Sequence, residues 1–282
     1  MATTIFLINP QTFSSTSYLL DTYSAAAAYS LRQLKAGVTN VVRVRRSGDS
    51  AESDFTADEV SDGTLLSWVT ASGTIGYIVT WYDQSGNGND ITQSTALNQP
   101  RIVNASTLIT KGGLPSIYYD GNDSLGIASS VLNLTSTSYF SVSSANSGGT
   151  LGTIHSQSSG GTNTIRTFLD ARTTPNRNLA VSNGTSTYYA DLSTARNDTN
   201  QRLLSAFIDS SRNMSTFDNG NTGGTNTYVT GTEVSDALQL GVQSTATTYL
   251  TGNIQEFIAF NTDESANRTD IESDINTHYS IY

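Results

Sequence analysis

Residues 76–90 read GYIVTWYDQSGNGND, an apolar and aromatic run that stops at a group of Asp, Asn and Gly residues. The β-branched and aromatic side chains of the first half predict a strand that ends near Tyr82. The chain must then reverse, because Gly86 and Gly88 allow positive φ and asparagine bonds readily to the backbone. The stretch therefore predicts a strand followed by a sharp corner of a β-sheet.

Short strands and turns continue as far as Phe260. Residues 218–221 (DNGN) and 183–184 (NG) are turn sequences, and no long helical segment separates the strands. Parallel β-α-β winding is therefore not expected, and we predict a mainly β protein, an antiparallel two-sheet sandwich. The strand candidates are GYIVTWY, QPRIV, PSIYY, SYFSVSS, TIRTFL, NLAVS, TYYADL, RLLSAFID, MSTFD, ALQLGV and IQEFIAF.

Helices are predicted only near the two ends. In LLDTYSAAAAYSLRQLKAG, apolar residues recur at three- and four-residue steps from Leu20 to Leu34 and indicate an amphipathic helix. A second short helix is predicted over Asp62–Val69, and the final segment, DESANRTDIESDINTHYSIY, looks helical. We expect residues 1–20 to be an arm or a first strand, and residues 21–282 to be a single domain with a helical part over 21–75.

The composition excludes several classes of protein. The chain has 282 residues, 24 carboxylates against 14 basic residues, and a formal net charge of −10, which argues against nucleic-acid binding. Arg43 and Arg45 alternate with valines, so they are expected on the wet face of a strand, balanced by the acidic residues that follow. Without cysteine there is no disulfide and no thiolate metal site. The sequence also lacks a secretory signal and an apolar run of membrane-spanning length.

The downstream half resembles the concanavalin A-like, laminin-G-type jelly rolls. The resemblance is carried, in order, by four segments, and it covers roughly Gly113 to Ile275. It implies a jelly-roll fold and says little about activity. The segments are GLPSIYYDGNDSLGI, RLLSAFIDSSRNMSTFDNGNTGG, ALQLGV and LTGNIQEFIAFNTDESANRTDIESDI.

The upstream half has two further resemblances. The segment AYSLRQLKAGVTNVVRVRRSGDSAESDF followed by TWYDQSGNGNDITQ is similar to the first part of the catalytic domain of B-type α-L-arabinofuranosidases. The same motifs, together with QPRIV and the Tyr-rich tail, are still closer to structural proteins of tailed bacteriophages. The arabinofuranosidases are secreted and disulfide-bonded, and their catalytic motifs match no position of this chain. The phage resemblance implies a cytosolically made protein of the virion surface.

The turn at 83–90 has three interpretations. The first is structural, a sheet corner held by bonds from side chains to the backbone. The second is a calcium site, for which oxygen ligands are available in Asp83, Asn89 and Asp90, with Asn87 nearby. The third is a sugar site, in which Trp81, Tyr82, Asp83 and Asn87 place aromatic rings beside amide and carboxylate groups. We predict the structural role first and no cofactor other than calcium.

No catalytic residue is assigned. A glycosidase needs two carboxyl groups that flank the bond to be cleaved, and Glu52, Glu59, Glu264 and Glu272 are expected to be solvated. Glu256 shares the strand phase of Ile254 and Ile258, so it is expected to point inward as a paired carboxylate. His155 lies in SSANSGGTLGTIHSQSSGGTN, which predicts loops, and we expect it to face solvent.

These observations predict a structural protein of a phage virion, which is a head decoration, fibre or tail component. Its expected partners are other virion proteins, copies of itself and host glycans. Candidate glycan contacts are Tyr188, Tyr189, Tyr228 and Tyr249. The alternatives are a carbohydrate-binding module and an arabinofuranosidase-type hydrolase.

Overall fold

A computed structural model describes residues 17–159, 162–170, 176–192, 198–232, 237–243 and 248–282. None of the helices in these ranges is long and apolar enough to cross a bilayer. The α-helices are α1 (Leu19–Thr22), α2 (Ala57–Ser61), α3 (Thr64–Thr70) and α4 (Arg268–Tyr279).

Strands make up most of the described chain, in keeping with its β-branched and aromatic segments. They are β1 (Ala27–Ser30), β2 (Asn40–Arg46), β3 (Glu52–Thr56), β4 (Gly76–Trp81), β5 (Ile91–Thr92), β6 (Arg101–Asn104), β7 (Thr107–Leu108), β8 (Thr110–Lys111), β9 (Leu114–Pro115), β10 (Ile117–Asp120), β11 (Leu125–Ser130), β12 (Thr137–Ala145), β13 (Leu151–Ser159), β14 (Thr162–Asp170), β15 (Arg177–Ser182), β16 (Thr187–Asp191), β17 (Arg202–Ile208), β18 (Asn213–Asp218), β19 (Asn221–Thr227), β20 (Ala237–Leu240) and β21 (Thr251–Phe260).

The strands form two antiparallel layers, and the predicted β-sandwich is confirmed. The first layer runs in the order β19-β18-β17-β12-β21, with β1 and β10 paired along β21. The second runs β3-β2-β4-β5-β11-β20-β13-β14-β15-β16. The single pair between Tyr118 and Arg101 joins β10 to β6, and β6 pairs in turn with β4. The layers are thus continuous at one end.

The main core lies between these two layers. Tyr139 and Phe257 enter it from the first layer, and Ile154, Ile165 and Leu238 enter it from the second. Each of these side chains is at most 1% exposed. Complete burial of one such side chain contributes about 1.5–3 kcal/mol, so this interface supplies the main driving force for folding.

A second apolar cluster covers the outer face of the first layer. Helix α4 places Ile271, Ile275 and Tyr279 against Phe140 and Phe260 of that layer. Leu19 and Leu20 of α1 join the same cluster. The predicted C-terminal helix is therefore confirmed, and it packs on the sheet rather than standing in solvent.

The predicted helix from Leu20 to Leu34 is wrong. The chain forms only the single turn α1 and then enters β1, whose four residues are all buried. Strand β1 pairs with β21 in a register that places Ala27 opposite Ala259. Small alanines fit a strand enclosed on both faces, and this tertiary pairing outweighs their preference for helix. The second helix was predicted correctly, because α3 buries Leu65 and Val69.

The basic residues near β2 are balanced as predicted. Arg43 lies 2.7 Å from Asp54, and Arg46 lies 2.7 Å from Asp49. Most of the predicted arm at residues 1–20 lies outside the described residues, so its role stays a prediction.

Candidate functional site

The corner at 83–90 is held by the carboxylate of Asp83. Its Oδ1 accepts hydrogen bonds from the backbone N–H groups of Ala28 and Ser85, both at 2.9 Å. Its Oδ2 accepts from the Ser85 hydroxyl at 2.6 Å and from the Asn89 N–H at 3.0 Å. A cation bound to this carboxylate would displace four donors, so the contacts support the structural interpretation of the turn.

The amides of the corner bind the preceding segment to it. Asn87 Nδ2 donates to the carbonyls of Ala25 and Ala26 at 3.0 and 3.1 Å, and Asn89 Nδ2 donates to Ala26 at 2.9 Å. Asp90 Oδ1 accepts from the Asp83 N–H at 2.8 Å. Among the described residues, no group of three or more His, Asp or Glu side chains is arranged to hold a metal ion.

The aromatic residues of the predicted sugar site separate. Trp81 is fully buried and packs 6.0 Å from the Tyr29 ring, so it belongs to the core rather than to a ligand-binding surface. Tyr82 is half-buried, and its hydroxyl donates to Asp54 at 2.7 Å. Burial raises the pKa of Tyr82 to about 12. Tyr82, Asp83 and Asp90 do line one shallow depression of about 290 Å³ beside the turn.

Gln84 was missed by the sequence analysis, although it lies within the opening stretch. Its side chain is fully buried, accepts from the Leu34 N–H at 2.8 Å, and donates to the carbonyls of Ser30 and Arg32 at 2.9 Å each. This one amide fixes the course of residues 30–34 past the corner. Those residues form one wall of a cleft that we call the Arg32 cleft.

The Arg32 cleft has a volume of about 370 Å³. It lies between α2, the segment after β1 and the last turn of α4. Its walls are mostly apolar, with a few charged groups that converge, as is typical of small-ligand sites. The residues that line it are Ser17, Tyr18, Leu19, Leu31, Arg32, Gln33, Ala57, Asp58, Ser61, Leu114, Pro115, Asp274, His278 and Tyr279.

Glu256 lies beneath this cleft, and the prediction that it points inward is confirmed. It is 1% exposed. Arg32 Nε and NH2 donate to its two oxygens at 2.8 and 3.1 Å, and the Ser30 hydroxyl donates at 2.7 Å. The Tyr279 hydroxyl lies 3.3 Å from Oε2. A carboxylate with this many donors cannot also attack a substrate or transfer a proton without losing its structural bonds.

Arg32 is shared between two carboxylates, since its NH2 also lies 2.7 Å from Asp274 Oδ1. Burial acts to lower the pKa of Arg32, but the negative charge of Glu256 outweighs it and holds that pKa above its usual range. Burial lowers the pKa of His278, and the nearby Arg32 charge adds to the effect. The charged floor of the cleft is therefore neutralised internally.

Glu272 corrects a second expectation. It was expected on a solvated face of the terminal helix, yet it is 2% exposed. Its Oε1 accepts from the Ser205 hydroxyl at 2.7 Å, and Arg268 donates to Oε2 at 2.5 Å. Burial raises its pKa. Both buried glutamates in the described part of the chain thus bond to an arginine and a serine.

His155 is not on a solvent-facing loop, as the sequence analysis expected. It lies in β13, is fully buried, and stacks on Tyr139 with ring centroids 4.7 Å apart. Burial lowers its pKa to about 3. The Ser- and Gly-rich stretch that contains it forms the end of β12 and the β13–β14 hairpin. A serine triad built on this buried ring has no access to a substrate.

The largest cleft formed by described residues lies on the β18–β19 hairpin, and we call it the β18–β19 groove. Its volume is about 570 Å³. Phe207 and Met214 contribute its apolar surface, and hydroxyl, amide and carboxylate groups line the rest. The polar lining residues are Asp209, Asn213, Ser215, Thr225, Asn226, Thr227, Asp263 and Ser265.

Tyrosines proposed as glycan contacts take different positions. Tyr228 is 2% exposed and donates its hydroxyl to the Leu134 carbonyl, so it is a core residue. Tyr188, Tyr189 and Tyr249 are half-buried. None of the four lines the groove.

The fold resembles solved α-L-arabinofuranosidases. No protein-family model matches the sequence, and no curated protein matches it. A GH54 α-L-arabinofuranosidase soaked with a cyclic sulfate inhibitor superposes with a TM-score of 0.60 at 13% identity. A mutant GH54 enzyme soaked with 4-nitrophenyl α-L-arabinofuranoside gives 0.62 at 14%. In both cases the match covers 89% of this chain and 62% of the other.

At this identity the likeness shows the shared β-sandwich fold. The chain spans about three-fifths of the length of these enzymes. The similarity between the upstream motifs and B-type arabinofuranosidases therefore extends to the architecture of the whole described domain.

Proposed function

We propose that this chain is a carbohydrate-binding β-sandwich protein without hydrolase activity, and a structural component of a tailed-phage virion surface. The observation that carries the binding role is the β18–β19 groove. Its volume of about 570 Å³ lies in the range of small-ligand sites. Its hydroxyl, amide and carboxylate groups are the types that exchange hydrogen bonds with sugar hydroxyls.

The absence of catalysis is supported by the state of the buried carboxylates in the described ranges. Glu256 and Glu272 are both engaged in ion pairs. Glycoside hydrolysis requires one carboxyl group to donate a proton and another to act as base or nucleophile. Neither glutamate is free for such a role. The similarity to arabinofuranosidases supports a sugar ligand without requiring their chemistry.

The virion role is supported by the sequence resemblance to phage structural proteins. The acidic, weakly charged and Ser/Thr/Asn-rich composition also suits a solvated particle surface. Mass spectrometry of purified particles from the source tests this role, and the absence of the polypeptide from intact particles would refute it.

Glycan binding is tested on a glycan array, followed by calorimetry with the best ligand. The Thr225→Val variant removes one exposed hydroxyl from the groove without changing the side chain's size. We expect it to weaken binding roughly 3- to 10-fold, the usual effect of one hydrogen bond. Thr222→Val is the matched control, because Thr222 is exposed on the same strand but does not line the groove. Equal affinities of the two variants would place the site elsewhere.

An arabinofuranosidase-type hydrolase is the second candidate, favoured by the TM-scores of 0.60 and 0.62. Incubation with 4-nitrophenyl α-L-arabinofuranoside decides between the two. Release of 4-nitrophenol above the buffer rate would establish hydrolysis and refute the proposed absence of catalysis.

A further inference from the structure

Arg166 is a buried cation without an acidic partner in the described part of the chain. It lies in β14 and is 9% exposed, and its Nε is buried without a hydrogen-bond partner. Six other arginines in the described ranges each lie within 2.9 Å of a carboxylate oxygen. The chain has 24 carboxylates for 14 basic residues, so an unpaired buried arginine is not explained by a shortage of acids.

The surroundings of Arg166 are aromatic and basic. Strand register places Arg166 opposite Ala180 of β15, and Ala180 opposite Tyr189 of β16, so all three share one face of the second layer. The Arg177 guanidinium lies 4.0 Å from the centroid of the Tyr189 ring. Arg166 itself lies 5.6 Å from the Phe168 ring. This face points away from the main core, which contains Ile165, Leu179 and Val181 of the same strands.

Electrostatics at this position disfavour the charge that Arg166 carries. Burial lowers the pKa of Arg166, the polar Tyr189 raises it, and the positive charge of Arg177 lowers it further. A buried cation beside a second cation costs stability unless an anion completes the arrangement. Residues that cost stability in this way are commonly retained for binding.

We propose that Arg166, with Arg177 and Tyr189 beside it, binds the carboxylate of an acidic sugar on the outer face of the second layer. A guanidinium matches a carboxylate through two parallel N–H···O bonds. The half-buried Tyr189 ring offers an apolar surface for the sugar ring that carries the acid. The inference rests on the proposed glycan-binding function and adds the class of glycan, one with a hexuronic or related acid.

The test compares oligogalacturonate with its methyl ester, which differ only in the charge of the acid group. Calorimetry is done with the full chain, with Arg166→Gln and with Arg46→Gln. The control removes the same charge from an arginine that pairs with Asp49 on β2, away from this face. We expect the wild type and the control to bind the acid roughly 10- to 100-fold more tightly than the ester, since bonds to charged groups have that strength.

Arg166→Gln should lose this preference and bind acid and ester alike. It should also raise the melting temperature, because an unpaired buried charge is removed, whereas Arg46→Gln should not. Equal affinity of the wild-type protein for acid and ester would overturn the inference while leaving neutral-glycan binding intact. An unchanged preference in Arg166→Gln would overturn it as well. Failure to bind any glycan on the array would refute the inference together with the proposed function.

Discussion

The Glu256→Gln substitution tests the interpretation of the Arg32 cleft most directly. The change keeps the size of the side chain and removes the charge that holds Arg32. Loss of one partner of a buried ion pair costs about 3–5 kcal/mol, because the other charge stays behind without compensation. Arg32 keeps Asp274 at 2.7 Å and its side chain is 14% exposed, so the cost is reduced.

We therefore expect a loss of about 2–3 kcal/mol in the free energy of unfolding. For a domain of this size that corresponds to a fall of about 5–10 °C in the melting temperature. Urea unfolding and differential scanning calorimetry measure the two quantities. Asp49→Asn is the control, since it breaks the more exposed pair with Arg46 and should cost less than about 0.5 kcal/mol.

The same variant separates structure from catalysis. We expect no hydrolysis of 4-nitrophenyl α-L-arabinofuranoside by the wild type or by Glu256→Gln. Two results would refute the reasoning. One is a loss of stability no larger than that of the control, and the other is wild-type turnover that the substitution abolishes.

Three other properties can be measured on the same protein. Burial holds the pKa of His155 at about 3, whereas the unfolded chain protonates near 6.5, so stability should fall as the pH drops below about 6.5, by up to about 1.4 kcal/mol per pH unit. His155→Phe should flatten this part of a urea-unfolding pH series, and an unchanged slope would contradict it. Burial raises the pKa of Asp123 to about 7, so its contribution is present at low pH and is lost as the pH rises toward 7. Asp123→Asn should therefore be more stable than the wild type at pH 8, and a less stable variant there would speak against the assignment. Calcium should leave the melting temperature unchanged, while Asp83→Asn should lower stability by about 2–4 kcal/mol by breaking bonds in the corner. A rise in melting temperature with calcium would show that a ligand binds the folded state.

The sequence predicted those features that depend on local pattern. Alternation and turn chemistry predicted the sandwich, the corner after Trp81 and the inward phase of Glu256. Helical periodicity at the end of the chain predicted α4, because one face of that helix is apolar. These signals all lie within a few residues of the feature that they predict.

Features that depend on distant partners were not predictable. The Leu20–Leu34 segment has helical spacing, but pairing with β21 makes its middle a strand. Arg32 gave no local sign that its partner is Glu256, which lies 224 positions away. The polar neighbours of His155 suggested solvent, although a β-hairpin carries that ring into the core. In each case a contact formed at long range overrode the local preference.

Strand β21 has a consequence for the order of events in synthesis. It is the hydrogen-bonding partner of β1, β10 and β12, yet it leaves the ribosome after all three. Such contacts between early and late segments slow folding, since a long loop must close before they form. Until β21 arrives, the nascent chain exposes unpaired strand edges that favour aggregation. A cell that makes this protein in quantity therefore has reason to keep chaperones bound until translation ends.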